Sequence, residues 1–250
     1  MRYFIDFSYA GTHYHGWQRQ PNAVSVQEVL EDAFEILLKS PCPLVAAGRT
    51  DTGVHAQQMV AHFDVDNPID DAAQWVYRLN QFLPKDIALH SVQAVKPDAH
   101  ARFDALSRTY QYHVQTQKTP FGNDMQYGLH QALDFEQMNK AAEVLLGYED
   151  FECFSKSNTD VKTFLCKISY AKWEKTKNGY IFTIKANRFL RNMVRAIVGT
   201  LIEIGLKKKT IEDLHHIIRS KNRSLAGYSV PAQGLFLTQV EYPKSVYLHE

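Results

Sequence analysis

The chain opens on strict alternation: residues 2–9, RYFIDFSY, read as a strand with polar and apolar positions taking turns. After a polar loop at 11–20, GTHYHGWQRQ, the period lengthens, and Val26, Val29, Leu30, Ala33, Phe34, Leu37 and Leu38 recur at helical spacing. Ser25 and Glu28 stand before that run as a capping box. Two strands follow, a short apolar one at 43–47 and one at 59–65 that alternates around Val60, Phe63 and Val65. Asp70 or Asp71 caps a helix running to about Phe82, Pro84 closes it, and a strand spans 87–95. This order, β-α-β-β-α-β, is the split β-α-β pattern of ferredoxin-like folds.

The pattern restarts at RFDALSRTYQYHV, a strand that sets Arg108, Tyr110 and Tyr112 on one face. Asp134 caps a helix through Leu146, which Gly147 stops. Strands at 163–174 and 180–186 flank a turn at Asn178 and Gly179. A long helix at 188–206 and a last strand at 234–242 finish the second half. The expectation is an α+β fold of two ferredoxin-like halves, 1–104 and 105–250. They are joined into one wide, mostly antiparallel sheet with helices packed on it and an active-site cleft between them.

Composition supports a folded chain, since 45% of the 250 residues are apolar. Three widely spaced cysteines, Cys42, Cys153 and Cys166, form no C-x-x-C pair, which fits a reducing cytoplasm. The first residues lack the apolar core of a signal peptide, and no apolar run approaches the roughly 20 residues of a membrane span. The net charge is only +1, yet between Asp160 and Arg223 there are 15 lysines and arginines against 5 acids, leaving −9 for the remainder. A one-sided basic surface of this kind is the footprint of a nucleic-acid binder, or else a solvated basic face without a partner.

The most informative stretch is GRTDTGVHA at 48–56, which sets Asp51 between Arg49 and His55, with Gly48 and Gly53 bracketing it. Glycines there permit backbone conformations closed to other residues and close approach to a ligand. A carboxylate so placed either stays ionised for chemistry or hydrogen-bonds its own turn. The 11–20 loop offers rings and amides to bases and phosphates, and its His13 and His15 lack the partner ligands a metal needs. On a helix at 188–206, Leu190, Met193, Ile197 and Leu201 make one stripe, and Arg188, Arg191, Arg195 and Gly199 the opposite one. Three arginines within about 60° of arc call for an anion, a phosphate or a carboxylate such as Asp51, or else face solvent.

With GRTDTGVHA, RTYQYHV, FLRNMVRAIVG and AQGLFL in this order, and with HGWQRQ and NQFLPKDI besides, nearly the whole chain resembles the bacterial tRNA pseudouridine synthase A family. The resemblance implies that Asp51 is the catalytic aspartate, Arg195 its ion-pair partner and Tyr110 the ring stacked on the target uracil. It further implies that Leu235 walls the pocket and that Arg49 holds the flipped-out state. Arg188, Arg191 and His55 complete the expected substrate-binding set. Also implied are a homodimer and a tRNA substrate modified at uridines 38, 39 and 40 of the anticodon stem-loop, with no metal and no cofactor. Arg191, Asn192 and Glu149 depart from common residues at their positions without touching the motifs that carry the chemistry. An RNA-binding protein without catalysis would have no use for a carboxylate facing phosphates. A glycosidase would want a second carboxylate that the Asp51 segment does not supply.

Overall fold

A computed structural model describes residues 1–156 and 161–248; Asp160, where the basic segment was taken to begin, lies outside them. The chain forms two compact units, Met1–Leu106 together with the chain from Phe236 on, and Ser107–Leu235.

In the first unit β1 (Arg2–Tyr9) runs between β3 (His55–Asp64) and β4 (Ile87–Ala94), antiparallel to both, with registers such as Ile5↔Ala61 and Ile5↔Val92. On the other side of β3 lie β2 (Val45–Ala46), antiparallel, and β9 (Leu235–Glu241), parallel through His55↔Phe236 and Ala56↔Leu237. Gln58 ties β9 to β1, accepting from Val240 N–H at 2.9 Å and donating to the Asp6 carboxylate at 2.6 Å. Helices α1 (Val26–Leu38) and α2 (Ala72–Phe82) start where expected. Asp71 accepts from Gln74 N–H, and Ser25 Oγ from Glu28 N–H at 3.2 Å. The Glu28 carboxylate turns to Arg19, at 3.6 Å. Phe63 of β3 gathers Phe34 of α1 edge-on at 4.9 Å and Trp75 of α2 in a stack at 6.3 Å, so one strand residue seats both helices.

The second unit is built on β8 (Gly179–Ala186), which lies antiparallel between β5 (Ser107–Gln115) and β7 (Ile168–Lys175). The two-residue β6 (Tyr127–Gly128) lines β5 in parallel. Helix α3 (Phe135–Val144) packs on β7, and α4 (Met193–Gly205) and α5 (Ile211–Ser220) lie against α3. The core centres on Trp173 and Phe182, 5.0 Å apart and both fully buried. In each unit a helix asparagine closes one strand edge. Asn80 of α2 bonds both the N–H and C=O of Leu89, and Asn139 of α3 both those of Trp173. Such amide pairs occupy edge groups that would otherwise recruit another strand.

The α+β class and the predominance of antiparallel pairing stand as expected. Three local expectations change. Strand β7 begins at Ile168 rather than Thr163. Helix α4 begins at Met193, not Arg188, because Asn192 takes a left-handed conformation at φ 67° that no continuous helix tolerates. Arg188 and Arg191 therefore precede the helix, and the three-arginine stripe does not exist. The sequence reading also missed α5, although Thr210 and Asp213 form a reciprocal capping box before Ile211, Leu214, Ile217 and Ile218. Among the described residues no helix is long and apolar enough to cross a membrane.

One buried group ties stability to pH. His62 of β3 is 6% exposed, lies beside the His100 ring at 4.6 Å and accepts from Ala101 N–H at 3.2 Å. Burial and the nearby Arg2 charge lower its pKa from 6.5 to about 4. Below about pH 6.5 the unfolded chain takes up a proton that the folded chain refuses, so stability falls between pH 6.5 and 4. We expect His62→Gln, whose amide oxygen can still accept from Ala101, to flatten that slope by on the order of 3 kcal/mol at pH 4. Urea melts of both proteins across this range check it, and parallel slopes would exclude His62 as the cause.

Candidate functional site

Asp51 stands at the head of a four-residue turn closed by Val54 N–H donating to Asp51 C=O at 3.1 Å. Gly53 is the third residue of the turn, and its φ of 78° is the value a type II turn requires there. Strand β3 begins at His55, four residues sooner than expected, so the loop that carries Asp51 is short. Asp51 is partly exposed and Arg49 exposed.

The turn is held from outside by the 9–17 segment. Tyr9 Oη and Thr50 Oγ1 share a hydrogen bond of 2.8 Å, Trp17 N–H donates to Thr50 C=O at 3.3 Å, and Gly53 N–H donates to Tyr14 C=O at 3.3 Å. Gly11 N–H donates to His55 Nδ1 at 3.0 Å. His55 is 1% exposed and stacks on Phe236 at 4.6 Å, so the ring expected to meet substrate instead anchors the loop backbone. Tyr14 and Trp17, expected to offer rings to bases, are likewise 6% and 3% exposed and belong to the core. Only glycine fits at the point of contact, since a Cβ on Gly16 would lie 2.4 Å from Thr50 O and one on Gly11 2.0 Å from Val54 O. The 9–17 segment is thus the outer jaw of a clasp on the Asp51 turn.

In the second unit, Tyr110 lies on β5 opposite Ile184, partly exposed, with Phe189 packed edge-to-face against it at 5.1 Å and 88°. Phe189 escaped the sequence reading because it was counted into a helix that starts later. Tyr112, expected beside Tyr110 on the same face, is fully buried and donates to Pro231 C=O at 2.8 Å. Leu235 is buried at 6%, directly after Gly234, where a Cβ would lie 2.8 Å from Tyr112 Cζ. Arg188 donates to Thr163 C=O at 3.3 Å, and exposed Arg191 accepts from Lys156 N–H at its carbonyl.

Arg195, on the first turn of α4, donates through Nε to Val230 C=O at 2.7 Å and receives Val230 N–H at its own carbonyl at 3.3 Å. The 227–230 segment is pressed against the helix. A Cβ on Gly199 would fall 1.9 Å from Tyr228 O, and Gly227 N–H donates to Thr200 Oγ1 at 2.9 Å. Gly199 therefore admits this chain's own backbone rather than a phosphate. Arg223 seals the segment by donating to Gly227 C=O at 3.1 Å and to Ser229 Oγ at 3.0 Å, and Asn192 donates to Ser229 Oγ at 2.6 Å. These supports were not foreseen, although Gly227 and Pro231 punctuate the segment. The Lys207–Lys209 run sits at the C-terminal end of α4. There the backbone N–H groups of Lys208 and Lys209 donate to Glu203 C=O, and Lys209 Nζ lies 3.6 Å from the Glu203 carboxylate. Cations at a helix C-terminus oppose its dipole, so this run has a structural use whatever else it meets. Among the described residues no three His, Cys, Asp or Glu side chains converge as a metal would require.

A family model described as tRNA pseudouridine synthase matches residues 7–104 and 141–243. The chain is similar to tRNA pseudouridine synthase A of Bacteroides fragilis, 51% identical over 248 residues, with 99% of this chain and 98% of that protein covered. The protein of that name from Parabacteroides distasonis is 52% identical over 246 residues, covering 98% of both chains, and that from Shouchella clausii 40% identical over 248 residues, covering 97% and 94%. Asp51 and the clasp around it fall in the first matched segment, and Arg195 with the 227–230 segment in the second.

The clasp makes its own prediction. Gly16 combines a φ of 86° with a 2.4 Å approach to Thr50 O, so Gly16→Ala adds backbone strain to a clash with main chain that cannot swing aside. We expect a loss of roughly 2–4 kcal/mol of stability in denaturant melts. Gly48→Ala, which meets nothing within 4 Å and whose φ is not positive, serves as the neutral control.

Proposed function

The chain belongs to the tRNA pseudouridine synthase family, and from that membership we infer that its substrates are uridines 38, 39 and 40 of the tRNA anticodon stem-loop. It is an isomerase that turns uridine into pseudouridine in tRNA. The observation that carries the site assignment is the clasped turn. Asp51 sits on a turn that the 9–17 segment contacts closely through Gly11 and Gly16, and the main chain on both sides of it is hydrogen-bonded to that segment. We assign Asp51 as the catalytic carboxylate, Tyr110 as the ring under the uracil, Leu235 as the pocket wall and Arg49 as a support for the flipped-out nucleotide. Arg188 and Arg191 are assigned to the tRNA backbone. The enzyme acts as a cytoplasmic homodimer.

The chemistry explains these residue types. The reaction breaks the C1′–N1 bond, turns the detached base and forms a C1′–C5 bond; C5 gives up its proton and N1 ends protonated. Atoms and electrons balance within one nucleoside, so no hydride or phosphoryl group is moved. An ionised carboxylate acts on the sugar, as nucleophile at C1′ or as base at C2′, and both routes need it charged. A guanidinium beside a partly buried carboxylate favours that form, the role we assign to Arg195. Its Nε bond to Val230 C=O sets the plane of the fork. Unstacking the target base is offset in part by stacking on Tyr110, whose ring plane is set by Phe189.

Two outcomes test this reading. Asp51→Asn is nearly isosteric but neither attacks nor takes a proton. Turnover should fall roughly 10⁴-fold or more while tRNA binding survives, read by carbodiimide-adduct primer extension on unmodified tRNA. Appreciable pseudouridine with the Asn protein would remove Asp51 from its role. Arg195→Ala should lower turnover and cost some stability, because it removes the Nε bond to Val230 C=O and the guanidinium assigned to the carboxylate. Arg195→Lys should stay well below wild type, since an ammonium cannot make the two-pronged contact, whereas Arg191→Ala should mainly raise the KM for tRNA. Normal folding of Arg195→Ala with loss of tRNA affinity alone would move Arg195 to the tRNA-binding face.

A further inference from the structure

Two stretches remain without a chemical role: the loop GTHYHGWQRQ at 11–20, and NQFLPKDI at 80–87. The structure joins them. Tyr14 is buried, and its hydroxyl donates to Asp86 Oδ1 at 2.6 Å, within the range of an O–H bond to a charged carboxylate. Asp86 C=O also accepts from Ala10 N–H at 2.9 Å, so Asp86 holds both ends of the 10–14 segment. Tyr14 C=O in turn accepts from Gly53 N–H, two residues from Asp51 and inside its turn. The path Asp86 carboxylate, Tyr14 hydroxyl, Tyr14 backbone, Gly53 N–H thus runs from the start of β4 to the turn that carries Asp51 without leaving the first unit.

We propose that Tyr14 and Asp86 are positioning residues for the Asp51 carboxylate, setting the height of its turn by a hydrogen-bonded strut rather than by touching substrate. The inference rests on the assignment of Asp51 made above. A bland account is available: a buried tyrosine needs a partner for its hydroxyl, and Asp86 supplies one. It does not explain why the partner is a charged group on another loop, nor why the same tyrosine's carbonyl supports the turn. Burial and the Asp86 charge both push the Tyr14 hydroxyl up from 10, so it stays protonated and remains a donor throughout the working range. With Gly11 and Gly16 in backbone contact on either side, the Tyr14 ring cannot shift without moving the chain that bears on Gly53.

The strut differs from simple packing in how its loss divides between kcat and KM. Tyr14→Phe keeps the ring and every backbone contact and removes only the hydroxyl. We expect kcat to drop about tenfold, equivalent to roughly 1.4 kcal/mol of activation free energy, with KM for unmodified tRNA within twofold of wild type. Asp86→Asn retains an acceptor and should lose less than Asp86→Ala. In the Tyr14→Phe/Asp86→Ala double variant the kcat losses should not multiply, because one strut is broken once. Assays at 25 °C, with melting curves showing each variant folded, separate this from global loss of structure. Wild-type kcat for Tyr14→Phe, or kcat losses that multiply in the double variant, would overturn the strut. Asp51→Asn assayed alongside keeps the two failures apart. If it is inactive while Tyr14→Phe is unimpaired, the positioning inference alone is wrong; if it turns over normally, the assignment beneath it has failed.

Discussion

The turn that carries the carboxylate assigned to chemistry is fixed through the main chain around it. In this protein the constraint falls on a contact between two loops, where Gly16 lies so close to Thr50 C=O that one methyl group would fill the gap. Around it, Tyr9, Gly11, Tyr14 and Trp17 bond to Thr50, Gly53 and His55. Each bond alone contributes about 1 kcal/mol net. Together they tie down the main chain on both sides of Asp51. The buried His55 ring fits this account, since an imidazole sealed beneath Phe236 adds rigidity where an exposed one would add only a contact.

The second unit solves the matching problem by the same means. A guanidinium has many rotamers, and one that is to meet an anion in a fixed geometry has to surrender them beforehand. Arg195 does so through Val230 C=O, and Val230 is placed because Gly227 and Gly199 let strand-like chain lie directly on a helix. Arg223 and Asn192 then converge on Ser229, so the segment behind Arg195 is bonded from two directions. In both units the side chain assigned to chemistry is simple, and the specificity of its placement resides in glycines and backbone carbonyls.

What the sequence made legible follows from this division. The period-two and period-3.6 patterns located β1, α1, α2, α3 and β8 to within a few residues, because burial of one face is a local, repeating signal. The reading failed where a single residue's conformation overrides a pattern. Leu190, Met193, Ile197 and Leu201 look helical in register, and Leu190 is indeed buried at 5%, yet Asn192 at φ 67° keeps the helix from beginning before Met193. The apolar spacing survives the break because loop and helix cover the same core. Asp51, its turn and its glycines were visible as a motif, but the jaw that holds them was not, since its rings looked suited to bases. Nothing in the local string GTHYHGWQRQ reveals that Tyr14 and Trp17 turn inward; that depends on Asp86 and Phe7, many residues away. Similarly, α5 carried a sound capping box that was passed over.

The kind of reaction explains why so much of the fold is spent on placement. An isomerisation that detaches a base and rejoins it through another atom gains little from a strong acid or base alone. Its hazard is the interval in which uracil is no longer bonded to the sugar, when a small displacement lets water reach C1′ first. Holding reactants in register is worth several kcal/mol in such steps, and the benefit vanishes with about an ångström of misplacement. On the roles proposed above, a turn fixed by backbone bonds, a ring braced edge-on by Phe189 and a guanidinium held by Val230 C=O would each serve that need. Rigidity of this sort also limits adaptability. A pocket that accepts three neighbouring uridines has to obtain its tolerance from the RNA, whose loop can bend, rather than from a protein surface tied down at each assigned group.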